Sequence, residues 1–350
     1  MKNRLVNGEN SNAGKRGSLK TPASFLPDAK TLTARLSSAF NGSDSCVEPV
    51  RILGRKLPQM MSTFPNEVVT CQLPDGSERR VFIKYERGHR HDSFGHRGGV
   101  AYEAEVYRRL LQPLSGFCPE CLGAPTDPNT GKTWLFLEYV YGTVRVSDLV
   151  YKRATRQPRA MAESARWIGK FQAAHEARVQ ALGFSFLKRY DAEYYRGWAR
   201  RTFEFARPLR ARFPWLNKLG EIGDEWFAPL LAARPTVIHG EFYAKTVLIR
   251  KEKLFMVDWE SAAIAAGEID LAALTEGKHW PKNIVRQCER EYQRARWPQG
   301  APAGFERTLD AARIYLHFRW LGERPDLTVR EKTLWRYVQL RAAAERLGLI

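Results

Sequence analysis

The sequence predicts a two-lobed α+β protein in which a small mixed lobe precedes a larger, mainly helical lobe. Strand patterns are concentrated in the first part of the chain, and long helical patterns dominate after Tyr141-Gly142. We therefore expect a hinge near residues 138–142. With 350 residues, the chain can bury a sizeable core. The expected organisation is a disordered basic tail over 1–25, a small lobe with an antiparallel sheet and one helix over 26–140, and a helical lobe over 141–350.

In the small lobe, a short amphipathic helix is expected before the strands. Leu32, Leu36 and Phe40 recur at helical spacing behind Asp28, which is a candidate N-cap. Pro74-Asp75-Gly76 is typical of a turn between two strands. The predicted elements of this lobe are helices over 27–40 and 100–111 and strands over 50–53, 68–73, 80–85, 122–124 and 134–140.

In the larger lobe, apolar residues recur at helical spacing over most of the length. The exception is a pair of short strands joined by a hairpin at 250–253, the second of which ends in Asp258. The predicted helices of this lobe cover 160–182, 192–205, 219–231, 269–274, 308–321 and 330–347.

The net charge of the chain is its strongest compositional deviation. A formal charge of +18 and a pI near 9.8 favour anionic partners such as nucleotides, phosphorylated metabolites, nucleic acid or acidic surfaces. The same charge argues against a polycationic acceptor. A generally basic, solvated surface is the simpler alternative.

Targeting and cysteine usage point to an intracellular protein. No apolar run is long enough to span a bilayer, and the N-terminus is polar, so we expect a cytoplasmic protein without a membrane segment. Five cysteines do not form a disulfide framework. Cys118-Pro119-Glu120-Cys121 is one CxxC without a second pair, so a turn into a strand is favoured over a zinc site.

The chemistry is concentrated in one stretch, His239-Gly240-Glu241-Phe242-Tyr243-Ala244-Lys245-Thr246-Val247-Leu248, followed by Val257-Asp258-Trp259-Glu260. It places Glu241 beside a His-Gly turn and Asp258 at the end of a later strand. Two adjacent loops would thus present two carboxylates to one cleft. Phosphoryl transfer needs one group to position the attacking hydroxyl and another to hold the metal that bridges the phosphates.

This stretch resembles the catalytic and metal-binding loops of the aminoglycoside phosphotransferase family, which has a protein-kinase-like fold. The family pattern is His-Gly-Asp, four residues, Asn, then Asp-Trp/Phe-Glu. Glu241 stands at the position of the family's Asp, and Thr246 stands at the position of its Asn. The resemblance extends over about residues 48–340, with softer matches at Lys84 and Glu103.

The resemblance and the local pattern together imply a nucleotide site in the small lobe. Lys84 lies on a strand with apolar alternate positions, where a lysine is favourable only if it meets an anion. A kinase-like site uses such a lysine for the α- and β-phosphates and tethers it with a helical glutamate, here Glu103 in preference to Glu105. The backbone of Glu138, Tyr139 and Val140 would hold the base. A Gly-rich loop is missing, as in other members of the family.

The catalytic loops supply the remaining expected roles. Glu241 would orient the acceptor hydroxyl and accept its proton, although it is one methylene longer than Asp. Asp258 is the expected Mg²⁺ ligand, with Thr246 as a second, shorter ligand. His239 would brace the loop. Asp270, at a helix N-terminus, would accept backbone N–H bonds and hold the loop in place.

Two further segments invite a functional interpretation. His89, His91 and His96 fit no metal-ligand template, so we expect a flexible basic loop near the phosphates, with Gly98-Gly99 before the helix. The segment 194–218 interleaves arginines with aromatic residues. The aromatic residues are expected in the core. For the arginines two alternatives are left, a solvated helix face or part of an acceptor site.

The sequence therefore predicts an enzyme that transfers the γ-phosphate of ATP or GTP, with Mg²⁺, to a hydroxyl of a small acceptor. The sequence does not decide whether that acceptor also carries an anionic group. The alternative is a pseudokinase that binds nucleotide or a partner without transfer, because both departures from the family pattern concern the chemistry. A nucleic-acid binder ranks last, since no motif for such binding is present.

Overall fold

The structure is a computed structural model of the chain. It describes residues 26–41, 49–58, 64–86, 93–112, 116–127, 130–149, 157–180, 182–277 and 280–350. The predicted tail over 1–25, and with it His89, His91 and Cys46, lies outside these ranges.

The small lobe is built on a five-stranded antiparallel sheet with the strand order β1-β2-β3-β5-β4. One helix precedes the sheet, and a second helix connects β3 to β4 and continues as a π-helical turn over Tyr107–Leu111. The elements are α1 (Ala29–Asn41), β1 (Arg51–Lys56), β2 (Asn66–Gln72), β3 (Glu78–Tyr85), α2 (Gly99–Val106), β4 (Cys121–Gly123) and β5 (Trp134–Glu138).

The core of the small lobe follows from the pattern in its sequence. The predicted N-cap of α1 is confirmed, because the Thr31 N–H donates to Asp28 Oδ1 at 2.8 Å. Leu32 and Leu36 of α1 are fully buried against the sheet. Alternate residues of β3 point into that core, including Val81 and Ile83. The next residue of β3, Lys84, therefore faces the opposite side of the sheet.

The helical lobe contains two small three-stranded sheets, β10-β9-β6 and β7-β11-β8, within a bundle of helices. The predicted boundary between residues 140 and 141 falls between β5 and β6. The elements are β6 (Val144–Arg145), α3 (Gln157–Glu176), β7 (Lys188–Arg189), α4 (Ala192–Phe205), α5 (Trp215–Glu221), α6 (Ala228–Ala232), β8 (Pro235–Ile238), β9 (Val247–Arg250), β10 (Lys253–Met256), β11 (Ala263–Ala266), α7 (Glu268–Thr275), α8 (Lys282–Arg296), α9 (Phe305–Leu321), α10 (Pro325–Thr328) and α11 (Trp335–Arg346).

Three predictions for this lobe need correction, and the first is the single pair of strands, because six short strands among the described residues form two sheets. The single helix expected over 219–231 is wrong: α5 ends at Glu221, and Gly223 adopts φ +68°, a conformation that interrupts a right-handed helix. Helix α8 was missed because most of its residues are charged or polar. Its buried face is a narrow row at four-residue spacing, namely Ile284, Cys288, Tyr292 and Arg296.

The other predicted helices and strands are confirmed with shifted ends, and the fold class is confirmed. Within the described ranges, none of the helices combines the length and apolar character needed to cross a membrane. The short strands β8 to β11 bring the loops over 239–246 and 257–262 side by side below the sheet of the small lobe. The candidate site is built from these loops, Lys84 and α2.

Candidate active site

Lys84, on strand β3 of the small lobe, forms ion pairs with one acidic residue of each lobe. Its Nζ lies 2.7 Å from Glu103 Oε2 on α2 and 2.5 Å from Asp258 Oδ1 in the helical lobe. Glu103 also accepts a hydrogen bond from the Trp259 N–H through its other oxygen, at 3.1 Å. Glu105, the alternative partner in the sequence, instead pairs with Arg108 on the surface.

The charges of this group determine its protonation. Burial opposes the charge on Lys84, but Asp258 and Glu103 outweigh that effect and raise its pKa above the ordinary value. Burial also acts to raise the pKa of Asp258, yet the Lys84 ammonium lowers it to about 2. Lys84 is therefore cationic and Asp258 anionic at neutral pH.

Asp258 also has an unusual backbone conformation, with φ +73°. Few non-glycine residues adopt this left-handed region, and in ordered sites it costs about 1–3 kcal/mol. It follows directly on β10 and Val257, whose N–H donates to the Thr246 carbonyl at 3.1 Å. The turn directs the Asp258 carboxylate toward Lys84 and into the cleft.

The loop that begins at His239 is held by Asp270. One carboxylate oxygen of Asp270 accepts the His239 N–H at 2.8 Å, and the other accepts the Gly240 N–H at 2.9 Å. Gln172 donates to the same carboxylate at 3.0 Å from helix α3. Burial raises the pKa of Asp270 to about 7, although these hydrogen bonds act to lower it. Asp270 thus fixes two successive peptide groups immediately before Glu241.

His239 braces the two catalytic loops through its ring. The ring Nε2 lies 3.0 Å from the Val257 carbonyl, and Nδ1 lies 3.3 Å from the Glu241 N–H. A carbonyl can only accept, so Nε2 carries the proton and Nδ1 is the acceptor. Burial lowers the pKa of His239 to about 4, so that the ring is neutral at pH 7. In this arrangement His239 has no proton to exchange with a ligand.

Glu241 is almost completely buried, and two arginines and a histidine surround one of its oxygens. Arg97 Nη2 lies 3.1 Å from Glu241 Oε1, His96 Nε2 lies 3.4 Å from it, and Arg319 of α9 pairs with the same atom. No described residue donates a hydrogen bond to Oε2. The longer side chain of Glu is therefore anchored through one oxygen, and the second oxygen is the atom available to an acceptor.

Arg97 joins three carboxylates. Besides Glu241, its guanidinium lies 3.1 Å from Glu260 Oε1 and 3.2 Å from Glu323 Oε1. Burial raises the pKa of Glu260 to about 7, with Asp258 adding to the effect. A planar guanidinium can serve several carboxylates at once, which an ammonium cannot do in the same geometry.

The sequence predicts a flexible loop around His89, His91 and His96, but the described part of that segment is packed and mostly buried or half-buried. Residues 93–98 are held in the helical lobe, and His96 is fully buried. Its Nδ1 lies 2.9 Å from the Tyr194 hydroxyl and 3.2 Å from the Tyr190 hydroxyl. The prediction is wrong for this half of the segment because aromatic packing and Arg97 fix it beside Glu241.

Thr246 is buried in the same loop. Its hydroxyl donates toward the Glu241 and Tyr243 carbonyls, both at 2.9 Å. The hydroxyl therefore closes the turn that carries Glu241. Its oxygen retains lone pairs, because donation uses only the hydrogen.

The segment between the lobes offers backbone groups at the other end of the cleft. The Glu138 N–H donates to the Glu120 carbonyl, and the Tyr139 N–H donates to the Arg80 carbonyl, so both are used by the sheet. The Val140 carbonyl accepts from the Thr143 hydroxyl at 3.0 Å. Tyr139 is about one-third exposed, whereas Val140 is buried.

A set of acidic groups could hold a metal ion. Carboxylate oxygens of Glu103, Asp258 and Glu260 lie within 4.8 Å of one another, and no other such group of His, Cys, Asp and Glu occurs in the described ranges. Hard oxygen donors of this kind suit Mg²⁺. Cys118 and Cys121 are free thiols, and Cys121 begins strand β4 after a turn, as the turn-and-strand interpretation predicts.

The arginine-rich segment 194–218 supplies surface pairs in addition to core packing. Arg196 pairs with Asp224, and Arg212 pairs with Glu331, in both cases on exposed side chains. Tyr195 and Trp198 are buried, as expected for aromatic residues at helical spacing. The arginines with described acidic partners thus neutralise acids of this chain.

Sequence reasoning missed three basic residues around Glu241 and Asp258, namely Arg97, Lys245 and Arg319. A signal was present for Arg319, because it lies between Phe318 and Trp320 in an apolar helix, where a charge needs a buried partner. Arg97 was noted only as part of a basic loop. Nothing in the sequence indicated which acids it would meet.

Comparisons with known proteins rest on structure, since neither a family model nor a curated sequence matches the chain. Choline kinase LicA from Streptococcus pneumoniae, also solved with AMP, is 12% identical over 92% of this chain and 99% of its own, with a TM-score of 0.58. An aminoglycoside phosphotransferase from Alicyclobacillus acidocaldarius is 14% identical over 95% and 96%, with a TM-score of 0.55.

A third similar structure is the amicoumacin kinase hAmiN in complex with AMP-PNP, Ca²⁺ and Ami. It is 11% identical over 83% of this chain and 87% of its own, with a TM-score of 0.51. All three likenesses cover both lobes of the present chain. The chain therefore has the two-lobed, protein-kinase-like fold that choline kinases and aminoglycoside phosphotransferases share.

Proposed function

We propose that this protein is a phosphotransferase that moves the γ-phosphate of ATP or GTP to a hydroxyl of a small acceptor. The observation that carries the proposal is the position of Lys84, held between Glu103 and Asp258 in the cleft between the lobes. A buried lysine with this pair of partners is suited to nucleotide phosphates. The fold supports the proposal, and proteins of this fold bind AMP or AMP-PNP with Ca²⁺.

In this proposal the nucleotide lies between the sheet and the catalytic loops. Lys84 contacts the α- and β-phosphates, and Glu103 keeps its ammonium in place. The backbone at Glu138, Tyr139 and Val140 lines the position of the base. Asp258 would hold Mg²⁺, and the hydroxyl oxygen of Thr246 would be a second ligand from the neighbouring loop. When bound, Mg²⁺ would offset the negative charge of the β- and γ-phosphates.

The transfer itself needs little covalent chemistry from the protein. The acceptor hydroxyl oxygen forms a bond to the γ-phosphorus while the bond from that phosphorus to the bridging oxygen breaks, which leaves ADP or GDP. The hydroxyl proton passes to Glu241, whose Oε2 is the oxygen without a described partner. Arg97 and His96 hold the other oxygen, so the carboxylate keeps its orientation during the step.

A second candidate function is a pseudokinase that binds nucleotide without transferring phosphate. One observation favours it: Glu241 is almost completely buried and is paired with Arg97 and Arg319. If those pairs hold the carboxylate away from the acceptor, the nucleotide site remains but the hydroxyl has no base.

Thermal unfolding with ATP and GTP, each with Mg²⁺ or EDTA, separates these functions. Ligand at a hundred times its dissociation constant adds about 2.7 kcal/mol of stability. A Mg²⁺-dependent shift followed by ADP or GDP formation with a hydroxylated acceptor supports the phosphotransferase. A shift without nucleotide turnover across an acceptor panel supports the pseudokinase. If neither nucleotide shifts the transition, both proposals fail.

A variant at Glu241 tests the assigned base. Glu241→Gln keeps the size of the side chain and removes the proton acceptor, so nucleotide binding should persist while transfer falls about 10²- to 10⁴-fold. Equal transfer rates for the wild-type protein and Glu241→Gln would show that Glu241 is not the base.

A further inference from the structure

Lys245 is a basic residue of the catalytic loop that the proposed function has not used. It lies between Ala244 and Thr246, four residues after Glu241 and within the turn that closes the loop. Its side chain is exposed, unlike those of its neighbours in the loop. The lysine side chain thus extends from a buried turn to the surface.

Two aromatic rings support the Lys245 side chain. Its Nζ lies 5.0 Å from the centre of the Tyr243 ring and 5.7 Å from the centre of the Trp320 ring. These rings are fixed to each other, because Trp320 Nε1 donates to the Tyr243 hydroxyl at 2.8 Å. Cation–π contacts orient the ammonium without neutralising its charge.

The cleft contains other cations, but each of them is already paired. Lys84 is bonded to Glu103 and Asp258, and Arg97 to three glutamates. By contrast, none of the described acidic side chains lies within ion-pairing distance of Lys245 Nζ. Of these cations, Lys245 is therefore the one without an acidic partner among the described residues.

Electrostatic effects place Lys245 near the metal-binding side of the site. Thr246, the next residue, is the proposed second metal ligand, and the opposite charges of Lys245 and Asp258 attract each other. The ammonium thus lies within electrostatic range of Asp258, on the loop that carries Glu241.

We infer that Lys245 is a catalytic residue that contacts the phosphoryl group while it is transferred. This inference rests on the proposed function, since Glu241 and Asp258 would lie at the two ends of the reacting bonds. During transfer, negative charge is spread over the three equatorial oxygens of the phosphoryl group. A cation without a described acidic partner, on the loop between Glu241 and Thr246, can stabilise that charge.

The threonine at position 246, where the family pattern has Asn, explains why a cation at position 245 would assist the transfer. The family pattern has an amide ligand at that position, whereas Thr246 uses its hydroxyl hydrogen within the turn. A weaker metal ligand leaves more phosphate charge to be neutralised by the protein. The lysine one residue earlier supplies a fixed positive charge at the same place.

Nucleotide binding tests whether Lys245 contacts the γ-phosphate, because ATP carries that group and ADP does not. ATP and ADP, each with Mg²⁺, would be titrated into the full-length protein and its Lys245→Met and Lys245→Arg variants. If Lys245 contacts the γ-phosphate, Lys245→Met should bind ATP about tenfold more weakly and ADP unchanged. Lys245→Arg should recover most of the ATP affinity. Lys218→Met, which removes the same charge from an exposed face of α5, is the matched control.

Each other outcome overturns the inference in a distinguishable way. If wild-type protein and Lys245→Met bind ATP equally and turn over at the same rate, Lys245 has no role although the proposed function stands. If ATP binding is equal but the KM for the acceptor rises, Lys245 contacts the acceptor instead of the transferred group. If the wild-type protein binds neither nucleotide, the proposed function fails together with the inference. Circular dichroism of Lys245→Met would show that the variant is folded.

Discussion

Arg97 Nη2 lies 3.1 Å from Glu241 Oε1, although the two residues are 144 positions apart in the chain. The contact joins the segment before α2 to the loop that carries the proposed base. Because Arg319 and His96 meet the same oxygen, the orientation of Glu241 depends on two distant segments as well as on its own loop.

Removing Arg97 should destabilise the protein by about 3 kcal/mol, because it leaves buried glutamates without their shared partner. Chemical denaturation of Arg97→Met measures this loss. Arg97→Lys should recover only part of it, since an ammonium lacks the planar fork of a guanidinium. Arg212→Met is the control, because its pair with Glu331 is exposed and should contribute less than about 1 kcal/mol. Equal losses in the Arg97→Met and Arg212→Met variants would contradict the structural role of Arg97.

Lys84→Met should make the protein respond to metal ion alone. In the wild-type chain, the ammonium neutralises part of the charge on Glu103 and Asp258, which limits the effect of Mg²⁺ without nucleotide. In the variant, three carboxylates remain within 4.8 Å of one another, and stability should fall by about 3–5 kcal/mol. Thermal unfolding with and without Mg²⁺ should show partial recovery. A melting temperature of the variant that does not change with Mg²⁺ would argue against this cation site.

His239 should make stability depend on pH below neutrality. Its pKa is about 4 in the folded protein against 6.5 ordinarily. The contribution of the neutral ring to the free energy of unfolding is therefore complete above pH 6.5 and is lost as the pH falls toward 4. Between pH 7 and pH 5 the expected loss is about 2 kcal/mol. The His239→Gln variant should be less stable at pH 7 but should lose about 2 kcal/mol less over this interval. Parallel pH profiles for the two proteins would show that His239 does not remain neutral.

Gly240→Ala should disrupt the catalytic loop. Gly240 has φ +80°, and a Cβ at this position would lie 2.1 Å from the Ser261 carbonyl oxygen. Neither backbone can move freely, since Asp270 holds the Gly240 N–H, so the expected loss of stability is about 3 kcal/mol or more. Gly54→Ala is the matched control, because no atom lies within 4 Å of its Cβ position. Denaturation midpoints of the two variants compare these costs, and similar values would contradict the prediction.

Local patterns were sufficient to predict the fold class and several positions in the site. Alternation in β3 indicated that Lys84 faces away from the small-lobe core, and the His-Gly turn with its following strands indicated that Glu241 and Asp258 share a cleft. These relations extend over short stretches of chain, where periodicity and turn chemistry apply. The fold of similar solved structures agrees with this prediction.

The surroundings of Glu241 could not be predicted in the same way. Arg97 and Arg319 meet it only because the segment before α2 and helix α9 pack beside the catalytic loop, and periodicity carries no information on such distant pairs. The exposed position of Lys245 likewise depends on how the turn over 243–246 closes. Long-range packing, and not local propensity, decided these contacts.

Phe94 adds a mechanical consequence to the packing of the segment over 93–98. A Cβ on Gly197 of α4 would lie 2.1 Å from the Phe94 ring, so the ring fits against the helix only because residue 197 has no side chain. Phe94 also packs edge-on against Trp198, with ring centres 5.4 Å apart. The ring therefore ties the segment over 93–98 to helix α4 within the helical lobe. A larger residue at 197 would displace this ring, and with it the neighbouring His96 and Arg97 that meet Glu241.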